Sequence, residues 1–175
     1  MKRRTFLALS LLLPSLPSLA SASGKDISGK GFSGENPLGV SRAEFRTAQH
    51  GMDLIYQRRY AESLQLFEEA SIDFPDSPLG PVGRQINWQA MMYENYDFEY
   101  DRAWRSDFAD ASERLKRSRR QRGMASWYQF LEAVHLGMDA MYDIRHNDYL
   151  SAFNKAWDAL ELIKNVERLA PDFQD

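Results

Sequence analysis

The sequence predicts an all-α fold, a solenoid of about three antiparallel helical hairpins. Two observations carry this. Over residues 41–175 apolar residues recur every three or four positions, with prolines and polar turns between the runs. In addition, a 20-residue stretch occurs twice, as GMDLIYQRRYAESLQLFEEA from Gly51 and GMDAMYDIRHNDYLSAFNKA from Gly137. Without a gap the copies agree at eight positions: Gly51/Gly137, Met52/Met138, Asp53/Asp139, Tyr56/Tyr142, Arg59/Arg145, Leu64/Leu150, Phe67/Phe153 and Ala70/Ala156. Such self-similarity marks stacked repeats.

The elements follow in order. Ser41-Arg42-Ala43-Glu44 reads as a capping box, with Val40 and Phe45 at the hydrophobic-staple positions. The first helix carries Phe45, Ala48, Met52 and Ile55. After a turn near residues 58–60, a second carries Tyr60, Leu64, Phe67, Ala70 and Phe74, and Pro75 ends it. Val82, Ile86, Ala90 and Tyr93 mark a third helix. Trp104, Phe108, Ala111 and Leu115 mark a fourth, beyond an acidic, aromatic loop over residues 96–101. A fifth, over 125–143, aligns Trp127, Leu131, Val134, Met138 and Met141. The sixth runs past Phe153 through Trp157, Leu160 and Ile163 towards Pro171. The expected units are 41–77, 78–123 and 124–175, with no strand.

A glycine inside a helix costs about 1 kcal/mol relative to alanine. It is tolerated where another helix passes too close for a side chain. Gly51 and Gly137 are therefore expected to mark close contacts, with Phe67 and Phe153 filling space beside them. This pattern resembles the tetratricopeptide repeat, a 34-residue helix–turn–helix unit. Residues 44–77 fit that length. Gly51 matches the family's glycine, Ser63-x-x-x-Phe67 stands for its Ala-x-x-x-Phe, and Pro75 matches its closing proline. Thr47, His50 and Leu54 depart from the family's Trp, Leu and Tyr, and Tyr149 stands where the second copy needs a small residue. The whole resembles bacterial envelope proteins that carry such arrays. The resemblance implies a concave surface lined by the first helix of each pair. Gln49, Met52, Asp53 and Tyr56 would line it in the first unit, and His135, Met138, Asp139 and Tyr142 in the last.

The chain has 175 residues, one domain's worth, with 43% apolar and 13% aromatic residues, enough to bury a core. It has no cysteine, so disulfides and thiolate sites are excluded. With 22 basic against 25 acidic side chains the net charge is −3, which argues against a nucleic-acid binder. Residues 1–22 read as a signal peptide. Lys2, Arg3 and Arg4 lead an apolar run that is far shorter than the roughly 20 residues of a membrane span, and Ala20-Ser21-Ala22 offers a cleavage site. Arg3-Arg4-Thr5-Phe6-Leu7 also resembles a twin-arginine export motif. The expected destination is the periplasm or envelope of a bacterium, with no transmembrane span in the mature chain. Residues 23–40, rich in Gly and Ser, read as a disordered linker.

Residue types that carry chemistry are sparse. His50, His135 and His146 lack the spacing of a helical metal site. The nucleophile elbow, the P-loop, the dinucleotide fingerprint and H-E-x-x-H are all missing. The expectation is no catalytic residue, no metal and no cofactor. Arg114, Lys116, Arg117, Arg119, Arg120 and Arg122 form a basic run. It could meet an anionic partner, the acidic stretch of residues 94–110, or simply solvent at a helix end. Trp88, Tyr93, Tyr96, Phe98, Tyr100 and Trp104 could line a recognition groove or be core. The leading function is a scaffold for a protein or peptide partner. A structural spacer is the alternative, and a cofactor-binding or enzymatic cargo ranks third. Leu160, Ile163, Val166 and Leu169 carry an apolar stripe with no polar capping helix after it. The array is therefore expected to be truncated, to self-associate or bind a partner there, or to fold its last helix back on the first hairpins.

Overall fold

The structure, a computed structural model, describes residues 38–122 and 125–170, with every side chain among them except those of 121 and 122. The expected signal peptide lies outside the described residues, as does the expected linker up to residue 37. Six helices are present: α1 (Arg42–Tyr56), α2 (Tyr60–Asp73), α3 (Leu79–Asn95), α4 (Asp101–Arg122), α5 (Ser126–Arg145) and α6 (Tyr149–Leu169). No strand occurs among the described residues.

Each helix packs on the next, which short connections between antiparallel neighbours require. In addition α1 touches α3, and α3 touches α5, whereas α2, α4 and α6 do not touch one another. The first helices of the three hairpins thus form an inner row, and the second helices stand outside it. Such an array is held by nearest-neighbour contacts. The exception is α6, which touches α5 and no other helix.

One carboxylate fastens the inner row. Ser41 caps α1 as expected, its Oγ accepting the Glu44 amide at 3.1 Å. The other half of the expected capping box is redirected. Buried Glu44 accepts from the Ser77 hydroxyl at 2.5 Å and from Trp127 Nε1 at 2.7 Å. Ser77 Oγ in turn accepts the Leu79 amide at 3.1 Å. The first turns of α1, α3 and α5 therefore meet at Glu44, where the positive ends of three helix dipoles favour a negative charge. Leu38 and Val40, expected in a linker, belong to the same end. Both are buried with Trp127, Val166 and Ala170, and the Leu38 carbonyl accepts the Trp127 amide at 3.0 Å. The far end of α6 joins the same core cluster through Val166, although α5 is the one helix that α6 touches, so it does not fold back on the first hairpins.

The third hairpin repeats the first, but not in the register that the sequence identities propose. In the first turn the amides of Gln57, Arg58 and Arg59 donate to the carbonyls of Asp53, Ile55 and Leu54. In the third, those of His146, Asn147 and Asp148 donate to Tyr142, Ile144 and Asp143. Arg58 and Asn147 both have φ 61°. Each pair of counterparts is 89 residues apart, whereas the identities lie at 86. The turn has slid by three residues, and the outer helix has rotated relative to its sequence match. Buried Ala152 now stands where Ser63 does, so Tyr149 is not at the small position. Ala140 replaces Gly51, Ala156 replaces Phe67, and Phe153 is turned outward.

The glycines register this slip. The Phe67 ring is wedged between two of them. A Cβ on Gly51 would stand 2.2 Å from it, and one on Gly83 would stand 2.3 Å away on another side. A Cβ on Gly137 would meet nothing within 4 Å, so the expected Gly137–Phe153 contact does not form. Gly51→Ala and Gly83→Ala should each cost about 1–3 kcal/mol, because the ring cannot retreat from one without meeting the other. Gly137→Ala should instead stabilise the protein by up to about 1 kcal/mol, through helix propensity alone. Urea unfolding of the three variants gives the signs. Glu44→Ala should cost more, on the order of 2–4 kcal/mol, since it strands two buried donors.

Candidate functional site

The concave surface implied by the repeat resemblance is only half present. In α1, Gln49, Asp53 and Tyr56 are exposed and Met52 is half-buried against the core. In α5, His135 and Asp139 are buried, and Met138 and Tyr142 are half-buried. Position in the array explains the difference. The corresponding side of α5 faces α3 and α4, whereas nothing stacks on that side of α1 among the described residues.

His135 is occupied by its surroundings. Its Nδ1 lies 2.9 Å from Gln85 Oε1 and its Nε2 3.0 Å from Ser112 Oγ. An amide oxygen only accepts, so Nδ1 carries the proton and Nε2 accepts from the serine. The Phe108 ring stacks on the imidazole at 4.5 Å. Burial, helped by the Lys155 charge, pushes the His135 pKa down to about 4. The chain Ser112–His135–Gln85 has the outline of an activated nucleophile. However, Ser112 lies in the middle of α4, where neighbouring amides are spent on the helix, so no oxyanion donor faces it. Asp139 and Asp143 share Lys155, at 2.7 and 2.6 Å. Burial raises the Asp139 pKa against the pull of that lysine. These groups tie α3, α4, α5 and α6 together. Among the described residues no group of three or more His, Asp or Glu is placed to hold a metal ion.

The aromatic residues of α3, α4 and their loop are mostly spent internally. Trp104 is buried, stacks on Tyr142 at 4.1 Å and donates to Gln89. Trp88 stacks on Tyr100 and donates to Asp107. Arg145 spans Tyr93 and Phe98, at 5.0 and 4.1 Å. Tyr96 and Phe98 are the exposed members. Burial, together with a hydrogen bond to Asp101, pushes the Tyr142 pKa up to about 12. The basic run is similarly divided. Arg114 bonds Asp110 and the carbonyls of Pro75 and Ser77. Arg119 pairs with Glu132, and Lys116 with Glu113. Arg117 and Arg120 are exposed, and the Arg122 side chain lies outside the described residues.

An open apolar stripe lies on α6. Tyr149 is 63% exposed, Leu150 74%, Phe153 64%, Trp157 55% and Leu160 47%. Phe153, Asn154, Trp157 and Asp158 line a shallow depression of about 480 Å³. Leu150, Phe153, Trp157 and Leu160 have the 3-4-3 spacing of a helix-packing seam. Three α2 counterparts of residues on this side of α6 bond to α3. Tyr60, counterpart of Tyr149, donates to Glu94 of α3 at 2.8 Å. Glu68 and Ser71, counterparts of Trp157 and Leu160, bind Arg84 of α3 at 3.0 and 2.8 Å. The signal for this site was in the sequence as the apolar stripe of the last helix. Its outward direction was not, because the repeat register conceals the rotation.

His135 gives a pH prediction. In the unfolded chain it titrates near 6.5, in the folded protein at about 4. Between these values the unfolded chain holds the extra proton. Stability is therefore full above pH 6.5 and is lost as the pH falls towards 4. The loss should approach about 3 kcal/mol relative to a His135→Gln variant, which lacks this titration. Paired urea titrations from pH 7 to 4 should show the two curves converging.

No family model matches this chain, and neither a curated protein nor a solved structure matches it.

Proposed function

We propose that this protein is an exported helical-repeat scaffold that binds another protein through the apolar face of α6. The observation that carries the reading is the exposure of Tyr149, Phe153, Trp157 and Leu160, three of whose α2 counterparts, Tyr60, Glu68 and Ser71, bond to α3. Contiguous apolar surface of this kind marks an interaction site. The placement of Ser112 in mid-helix, with its neighbouring amides already bonded, supports binding over acyl-transfer catalysis. The leader-like residues 1–22 support export to the periplasm or envelope. The tetratricopeptide resemblance agrees with the row of inner helices and with the Phe67 wedge.

The structural spacer is supported by a different observation, the internal commitment of His135, Asp139 and Tyr142, which leaves little of the inner surface for a ligand. A photo-crosslinking residue in place of Asp158, beside the face, separates the two in the native envelope. A scaffold should give a discrete crosslinked protein. Phe153→Asp with Trp157→Asp should remove that product and leave the unfolding midpoint within a few degrees, since both side chains are mostly solvated. A spacer gives no such product, or one that survives the double variant.

A further inference from the structure

The joint between the second and third hairpins has a titratable group buried in it. Six rings stack in a row along this joint, in the order Phe98, His146, Tyr142, Trp104, Phe108 and His135. Neighbouring centroids are 4.9, 4.2, 4.1, 5.3 and 4.5 Å apart. The row starts at exposed Phe98 and ends on His135, which is 4% exposed. There Nδ1 donates to Gln85 of α3 at 2.9 Å, and Nε2 accepts from Ser112 of α4 at 3.0 Å. One imidazole of α5 thus joins it to two other helices. The joint between the first two hairpins is closed instead by the Phe67 ring, between Gly51 and Gly83, which no proton alters.

The third hairpin is also held at the start of α5. Trp127 donates its Nε1–H to Glu44 at 2.7 Å and its amide to the Leu38 carbonyl at 3.0 Å. Since α6 touches α5 and no other helix, α5 carries the hairpin. One end is therefore fixed, and the stacked rings close the rest.

His135 fits this joint as a neutral ring. A proton on Nε2 removes the lone pair that Ser112 bonds and places a charge among uncharged neighbours, Gln85, Ser112 and Phe108. Lys155 of α6, bonded to Asp139 and Asp143 of α5, adds repulsion. Burial and that lysine hold the His135 pKa at about 4 in the closed joint, against 6.5 for the ring in water. Asp139 acts in the opposite sense, because burial raises its carboxyl and acid relieves it. Farther along the joint, Glu132 pairs with Arg119 and Tyr142 donates to Asp101.

We propose that His135 is an acid-sensitive latch: a proton on its Nε2 favours swinging α5 and α6 away from α3 and α4, about the end fixed at Glu44. The opened form takes the extra proton as the pH falls from 6.5 towards about 4, so opening is favoured through that window. The first two hairpins stay packed, and Trp104 and Phe108 meet solvent.

Exchange of the indole N–H groups, followed by NMR on the full chain, tests this. Trp104 Nε1–H donates to Gln89 inside the joint, and Trp127 Nε1–H to Glu44 at the fixed end. Rates are corrected for their intrinsic pH dependence and compared with a His135→Gln variant, which keeps Asp139, Lys155 and His146. From pH 7.5 to pH 5 the opening constant at Trp104, relative to the variant, should rise about 25-fold. At Trp127 the same ratio should change by less than about threefold. A ratio that stays within about threefold at Trp104, or that rises equally at both indoles, overturns the proposal. Should the variant not fold, the ¹⁵N signals of the wild-type imidazole decide. A neutral ring protonated at Nδ1 is expected at pH 5.5, and an imidazolium in the folded protein at that pH overturns the latch.

Discussion

A single buried carboxylate ties together the beginnings of the three hairpins. Glu44 collects the first turns of α1, α3 and α5 at one point, by bonds to Ser77 and Trp127. Three inner helices lie side by side with their positive ends together, an arrangement that a carboxylate among those ends favours. The outer helices then follow, because each is tied to its inner partner by a short turn. The same end gathers Leu38, Val40 and Val166. It is both the electrostatic and the apolar closure of the array.

From that fixed end the three hairpins diverge. The first is closed tightly by Phe67 between Gly51 and Gly83. The second is held by the Arg84–Asp107 ion pair and by the hydrogen bond from Trp104 to Gln89. The third is long, held to α5 by the ion pairs of Lys155, and open on its outer face. The slide of its turn by three residues is what separates a repeat in sequence from a repeat in packing. A helix that turns 100° per residue rotates by about 60° when it gains three. That is enough to swing Phe153 out of the wedge position and bring Ala156 into it.

The helices were legible because periodicity, caps and prolines are local, and they mark all six elements. The wedge in the first hairpin was legible too, because a glycine kept in mid-helix opposite a phenylalanine at repeat spacing points to close helix contact. The partners of Glu44 were not. Ser77 and Trp127 lie 33 and 83 residues away, and a capping box accounts for the same glutamate locally. The burial of His135 was hidden for a related reason. The repeat resemblance sets His135 and Asp139 on an open concave surface, and only the stacking of α4 over α5 places Phe108 and Ser112 against the ring. The outward face of α6 was misread because eight identities fixed a register that the Asn147 turn does not keep.

The two flanks of the array are unlike in character. On α1 the side away from α3 carries Arg46, Gln49, His50 and Asp53, exposed and polar, together with exposed Tyr56. On α6 the open side carries Phe153 and Trp157. If one molecule were set behind another in the direction of stacking, these aromatic rings would meet charged and amide groups, desolvating them without return. Head-to-tail growth into a filament is the usual hazard of an open, translationally repeated fold. Here the polar groups on α1 oppose it, even though the apolar face of α6 stands open.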